Sequence, residues 1–309
     1  MSQAIREATH AGSWYLDDTE LLTKQLKSFI KNPTPETGKR FVISPHAGYM
    51  YSGKVASQGF QQLDFSKIQR VFVFGPSHHI FTRKCLVSRA SICSTPLGDL
   101  KVDEDLCQKL VASDNSFDSM TLDVDESEHS LEMQFPLLAF HLLKQGCLGK
   151  VKIVPIMIGA LTSTTMMAAA KFLSQYIKDE SNSFVISSDF CHWGRRFGYT
   201  LYLNDTNQLE DAVLKYKRRG GPTSPKIYES ISNLDHIGMK IIETKSSDDF
   251  SEYLKTTQNT ICGRYPIELI MKSMECANFS ERFKFISYAQ SSHVELVTDS
   301  SVSYATATA

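Results

Sequence analysis

The chain has 309 residues, 42% apolar and 22% charged, enough to bury one large core or two modest ones. A formal net charge of −1 offers no global field for nucleic acid or an anionic membrane, and no apolar run approaches the roughly 20 residues that a membrane span needs. The opening Met1-Ser-Gln-Ala-Ile-Arg-Glu lacks the apolar stretch of a secretion signal. The expected location is therefore the cytosol, with the nucleus as a second compartment, where thiols stay reduced. That fits seven cysteines with no Cys-x-x-Cys spacing.

Residues 19–30 have helical spacing, with Leu21, Leu22, Leu26, Phe29 and Ile30 on one face and Lys24, Lys27 and Ser28 opposite. The polar stretch 31–39 reads as a loop leading to the first apolar strand, 41–44. Further strands are expected at 71–75, 151–159, 184–188 and 283–289, and further helices near 103–111, 131–143, 164–177, 248–254 and 267–276. Pro136 must either kink the 131–143 helix or mark its real start. Between 204 and 225, Lys215, Lys217, Arg218 and Arg219 run into Gly220-Gly221-Pro222, which reads as an exposed loop and not as a nucleic-acid patch. No repeat or shift in composition divides the chain. The expectation is one α/β domain, residues 1–309, with a mostly parallel central sheet flanked by helices.

The informative residues fall after strand ends. Strand 41–44 leads into Pro45-His46-Ala47-Gly48-Tyr49, and 71–75 into Pro76-Ser77-His78-His79. Strand 184–188 leads into Asp189-Phe190-Cys191-His192-Trp193, and 283–289 into Gln290-Ser291-Ser292-His293. A single histidine is ordinarily a satisfied structural group, but five of nine follow apolar strands here. In open α/β sheets ligands bind outside the carboxyl ends of the strands, so parallel strands would gather these loops into one cleft. His78 and His79 are neighbours, and in extended chain only one of them faces a shared ligand.

Cys262 sits in Asn259-Thr260-Ile261-Cys262-Gly263-Arg264, before a helix expected from residue 265 or 266. Asn259 and Thr260 suit its entry, and a thiol there beside Arg264 is expected to have a lowered pKa. Imidazole and thiolate together suit zinc, copper or ferrous iron better than magnesium or calcium, and three protein ligands leave a position open. In the acidic stretch 125–133, Ser130 suits a helix cap, while His129 and Glu132 are candidates to line the same cleft.

At these motifs the chain resembles the Memo family, named for mediators of receptor-driven cell motility and related to the class III extradiol dioxygenases. The resemblance begins at Glu7-Ala-Thr-His10-Ala-Gly-Ser-Trp14-Tyr15 and runs through Pro45-His46-Ala-Gly-Tyr49 and Gly75-Pro-Ser-His78-His79. It continues at Glu128-His129-Ser-Leu-Glu132-Met, Ser188-Asp189-Phe-Cys-His192-Trp193-Gly and Asn259-Thr-Ile-Cys262-Gly-Arg264, and ends at Asp299-Ser-Ser-Val-Ser-Tyr304-Ala. It implies a class III extradiol dioxygenase-like fold and metal ligands at His46, His78 and Cys262. It further implies iron(II) or copper as the metal, with zinc as the alternative, and a redox activity. It also implies capture of a phosphotyrosine peptide in an overlapping pocket that includes Trp14. The related dioxygenases use two His and one Glu; Cys262 stands in the third place, which argues against ring cleavage. The segment near 204–225 reads as an insertion relative to shorter members.

The expected function is a metal-dependent redox protein acting on a small molecule with dioxygen at the open position. His192 would donate or accept a proton, Asp189 would orient a histidine or accept its ring proton, and Tyr49 and Trp14 would shape the pocket wall. The alternatives are a peptide-binding signalling adaptor and an iron or copper homeostasis protein. Against the adaptor stands the scarcity of arginines at the motifs, where only Arg195, Arg196 and Arg264 lie nearby.

Overall fold

Alternate side chains of a strand face opposite sides of its sheet, so a strand buried at every position must be covered on both. The computed structural model describes residues 3–30, 38–203, 209, 212, 213, 216 and 224–309. Among these, nine strands form the main sheet: Phe41–Ser44 (β1), Arg70–Pro76 (β2), Cys85–Val87 (β3), Phe117–Ser119 (β4), Lys152–Ile158 (β5), Asn182–Ser187 (β6), His192–Trp193 (β7), Lys284–Gln290 (β8) and Ser301–Thr308 (β9). The order is β7-β9-β1-β6-β2-β5-β3-β4, with β8 paired to β9. Every residue of β1 and β6, and all but the first of β2 and β5, is buried.

The centre, β1-β6-β2-β5, is parallel as expected. Its flanks are antiparallel: β9 runs against β1, β7 and β8 run against β9, and β3 runs against β5. Register at the centre is marked by a ladder of rings. Phe184 pairs with both Phe41 and Phe72, and stacks on them with centroids 4.9 and 5.0 Å away.

The helices are Thr19–Phe29 (α1), Tyr49–Phe60 (α2), Glu104–Ser113 (α3), Leu122–Ser127 (α4), His129–Glu132 (α5), Phe135–Lys144 (α6), Ser163–Lys178 (α7), Ile227–Thr244 (α8), Ser247–Thr257 (α9) and Arg264–Ala277 (α10). α7 and α10 pack together and on β6; α2 packs with α1 and α6 and against β1, β8 and β9. The expected helix at 131–143 is two helices, and Pro136 lies in the first turn of the second. The loops expected at 31–39 and 204–225 lie largely outside the described residues, the basic cluster entirely so. No described helix is long and apolar enough to cross a membrane.

On α6, His141 is buried between the rings of Phe60 and Phe140, and its Nε2 has no hydrogen-bond partner. Burial, and then the nearby charge of Lys144, pushes its pKa down to about 3. A histidine depressed in the fold contributes fully above its unfolded value near 6.5, and that contribution is lost as pH falls toward 3. His141→Phe should flatten the acid limb of stability between these limits by up to about 1.4 kcal/mol per pH unit, as read by denaturant unfolding across pH.

Candidate metal centre

β6 lies between β1 and β2, so the loops leaving β1 and β2 flank its carboxyl end. His46 is on the first loop and His78 on the second. His129 comes from α5, which can lie against β2 because residue 75 is glycine: a Cβ there would press into Ser130 Oγ and Leu131. One ring nitrogen from each of His46, His78 and His129 lies within 4.8 Å of the others. The rings of His78 and His129 stack at 4.4 Å, and His46 stands edge-on to them at 5.3 and 5.4 Å.

The other nitrogens explain which atoms are free. His46 Nδ1 is 2.8 Å from Ser187 Oγ at the end of β6. His78 Nδ1 is 2.8 Å from Glu128 Oε1, and the His78 backbone N–H donates to Oε2 of the same carboxylate at 2.7 Å. Nε2 of each ring is left available, and that of His46 lies 3.1 Å from Cys262 Sγ. Burial first, and then the charge of His78, pushes the pKa of His46 well below its ordinary value. Burial, then His46 and His78, pushes His129 to about 3. Burial alone would raise Glu128, but bonds from His78 and the Ser130 N–H outweigh it and hold the carboxyl at about 2. Converging imidazoles, one of them oriented by a carboxylate, with a sulfur beside them, fit a transition metal such as zinc, copper or iron.

The sequence-derived candidates divide. His46 and His78 are brought together, and His129, expected only to line the cleft, joins them in the tight group. Cys262 reaches the group on the His46 side, but its expected thiolate character is not found. Burial, reinforced by Asp189, pushes the thiol pKa up. Nor do Asn259 and Thr260 cap α10, whose cap residue is Gly263. Thr260 Oγ1 instead accepts from the His192 backbone N–H at 2.7 Å, and Asn259 bonds to Asp235 and Tyr253.

His192 Nδ1 faces two carbonyls, Phe190 at 2.9 Å and Thr260 at 3.1 Å, so Nδ1 carries a proton. Asp189 orients His46 by accepting its backbone N–H at 2.9 Å; the ring's own partner is Ser187. Trp14 is partly exposed and lies on His129 with centroids 4.4 Å apart. Tyr49 does not shape the cleft: it is buried at the start of α2, and its hydroxyl donates to the Met133 carbonyl. Glu132 does not face a substrate either. It is buried, paired with Arg6 at 2.6 Å, and accepts from the His10 N–H and the Tyr15 hydroxyl. Its work is to hold the segment that carries Trp14. His79 is exposed, 6.3 Å from His129 between ring centroids. β8 runs in the same direction as β1, yet His293 stacks on Tyr228 at 4.6 Å, with β9 between β8 and β1.

A family model described as Memo-like protein matches residues 6–308. The chain belongs to the Memo family. It is 41% identical over 304 residues to Protein MEMO1 of Xenopus laevis, covering 97% of this chain and 95% of that one. It is 39% identical to the MEMO1 family protein MHO1 of Saccharomyces cerevisiae, covering 98% of each. Protein memo-1 homolog of Caenorhabditis elegans is 41% identical over 97% of this chain and 81% of its own length.

In this Memo-family chain, Glu128, Ser187, Arg6 and His10 escaped the sequence reading as functional candidates. The signal for Glu128 was available: it stands next to His129 in sequence, and a carboxylate is the usual orienting partner of a metal-bound imidazole. The Cys262 loop lies against β6 because residue 263 is glycine, where a Cβ would run into Ser188 and the Ser187 carbonyl. Gly263→Ala should displace Sγ from His46 and weaken cobalt(II) binding about 10-fold or more, with loss of the sulfur charge-transfer absorption.

Proposed function

We propose that this chain is an iron- or copper-binding redox protein of the cytosol and nucleus, with a link to cell signalling or motility through its family. The observation that carries the reading is the convergence of three imidazoles, two of them with Nδ1 tied off, beside Cys262 Sγ. His46, His78 and Cys262 would hold the ion, with His129 as a further donor or as the wall that limits access. Iron or copper held there supplies one-electron chemistry toward dioxygen or a small molecule. His192, close enough to His46 to bear on its charge, would take or return a proton at Nε2. Trp14, tilted against the His129 ring, would roof the mouth.

Anaerobic titration with ferrous iron and cuprous copper tests this reading. One equivalent should bind to the wild type. Cys262→Ala should lose the sulfur-to-metal absorption and at least about 10-fold in affinity, with the fold intact by circular dichroism. Full metal content in that variant would remove Cys262 from the site.

Peptide capture is a second reading, favoured by the exposed indole face of Trp14 and by exposed Arg195 and Arg196 close to His192 in sequence. A phosphotyrosine peptide should then compete with the metal, and independent binding of the two would exclude a shared pocket.

A further inference from the structure

The direction of each hydrogen bond around Ser187 can be read from its neighbours, and it decides the tautomer of His46. Ser187 Oγ lies 2.7 Å from the Ser130 carbonyl, which has no proton to give, so the single hydroxyl proton of Ser187 is committed there. Gln134 Nε2 lies 3.1 Å from the Pro45 carbonyl and 2.9 Å from Ser187 Oγ. Turning the amide over would set its oxygen against the Pro45 carbonyl, so the nitrogen faces both and donates to both. Ser187 Oγ therefore has its proton spent and one lone pair filled. His46 Nδ1, 2.8 Å away, must donate to the remaining lone pair. The ring is the Nδ1–H tautomer, and its Nε2 lone pair points toward Cys262 Sγ.

A parallel lock acts on His78. Glu128 Oε1 accepts from His78 Nδ1 and from the Ser130 backbone N–H at 2.9 Å. Ser130 thus joins the two locks: its N–H braces Glu128, its carbonyl takes the Ser187 proton, and its hydroxyl donates to the Pro76 carbonyl two residues before His78. Glu128, Ser130, Gln134 and Ser187 are all fully buried, so water does not compete for these bonds.

We propose that Ser187, Gln134 and Glu128, joined through the backbone of Ser130, are positioning residues that hold His46 and His78 as Nδ1–H tautomers, so that both Nε2 lone pairs are presented to one metal ion. The proposal rests on the metal-binding reading for its purpose, but the tautomers are a property of the metal-free protein. Glu128→Gln is the sharpest probe. The Gln amide nitrogen can donate to His78 Nδ1, which moves the ring proton to Nε2 and blocks the donor atom. Ser187→Ala removes the acceptor of His46 Nδ1–H.

Two-bond proton–nitrogen correlation spectra of the metal-free, imidazole-labelled protein, followed by cobalt(II) titration, test it. Wild type should show His46 and His78 as Nδ1–H. Glu128→Gln should turn His78 toward Nε2–H, Ser187→Ala should release His46 to a mixture, and each should weaken cobalt(II) binding about 10–100-fold. Wild-type spectra with Nε2–H at either ring would overturn the proposal without reference to any variant, as would unchanged tautomers and affinity in both variants. Correct tautomers in a wild type that binds no cobalt(II), iron or copper would keep the lock and overturn the metal reading instead.

Discussion

Replacing Arg6 with methionine is expected to lower stability by about 3–5 kcal/mol, measured by urea unfolding at neutral pH. Arg6 is fully buried and pairs with Asp125 at 2.8 Å and with Glu132 at 2.6 Å. It also donates to the carbonyls of Glu7, Asp125 and Glu128 and lies over the ring of Phe135. Burial works against its charge, but the two carboxylates outweigh that and raise its pKa. Removing the guanidinium strands two buried carboxylates unequally. Glu132 keeps His10, Tyr15 and Thr9, whereas Asp125 already has its pKa raised by burial and loses its ion-pair partner. Adding Asp125→Leu to Arg6→Met should therefore recover part of the loss, and a double variant as unstable as the sum of the singles would refute the pairing argument. The same change should loosen Trp14, because Glu132 anchors the segment that holds it against His129.

His46→Ala is expected to abolish the iron or copper binding proposed above, a loss beyond the 10–100-fold typical of removing an orienting partner. Its ring touches each of the other site residues: edge-on to His78 and His129, Nε2 on Cys262, Nδ1 on Ser187. The fold should survive, because the neighbouring strands are fixed by their own register and by the Phe41–Phe184–Phe72 ladder. A stability cost of roughly 1–3 kcal/mol is expected from the cavity and from unpartnered Ser187. Equilibrium metal analysis beside a denaturation curve separates the two effects; retention of one equivalent of metal would mean the imidazole group is structural.

Much of this was legible in the sequence, for identifiable reasons. β1, β2, β5 and β6 are buried on both faces, and that writes continuous apolar runs that can be read directly. β9 was not expected, because Ser-Val-Ser-Tyr-Ala-Thr-Ala-Thr draws its burial from lying between β1 and β8 and not from its own apolarity. α2 was missed because its buried face is built largely of Ser52, Gly53, Ala56, Ser57 and Gly59, small residues that carry little periodic signal. α8 carries a readable stripe, Ile227, Ile231, Leu234, Met239 and Ile242, that the expected set of helices omitted. At the site, strand-end placement pointed to His46 and to the His78-His79 pair, since topology brings those loops together, and the choice of His78 came from the family resemblance. Tyr49 and Glu132 were misjudged because neighbours in sequence to a metal-site residue need not face the site. The tyrosine points into the core, and the glutamate answers a buried arginine more than a hundred positions earlier. The thiolate expected at Cys262 failed for a related reason: proximity to a helix start says nothing about burial, and burial dominates there.

The most direct test of the central claim is X-ray absorption at the metal edge of protein reconstituted anaerobically with ferrous iron or cuprous copper. The proposed site predicts the scattering pattern of at least two imidazoles together with one sulfur at the short distance of a thiolate ligand. An ion surrounded only by oxygen, or no ion bound in stoichiometric amount, would contradict it.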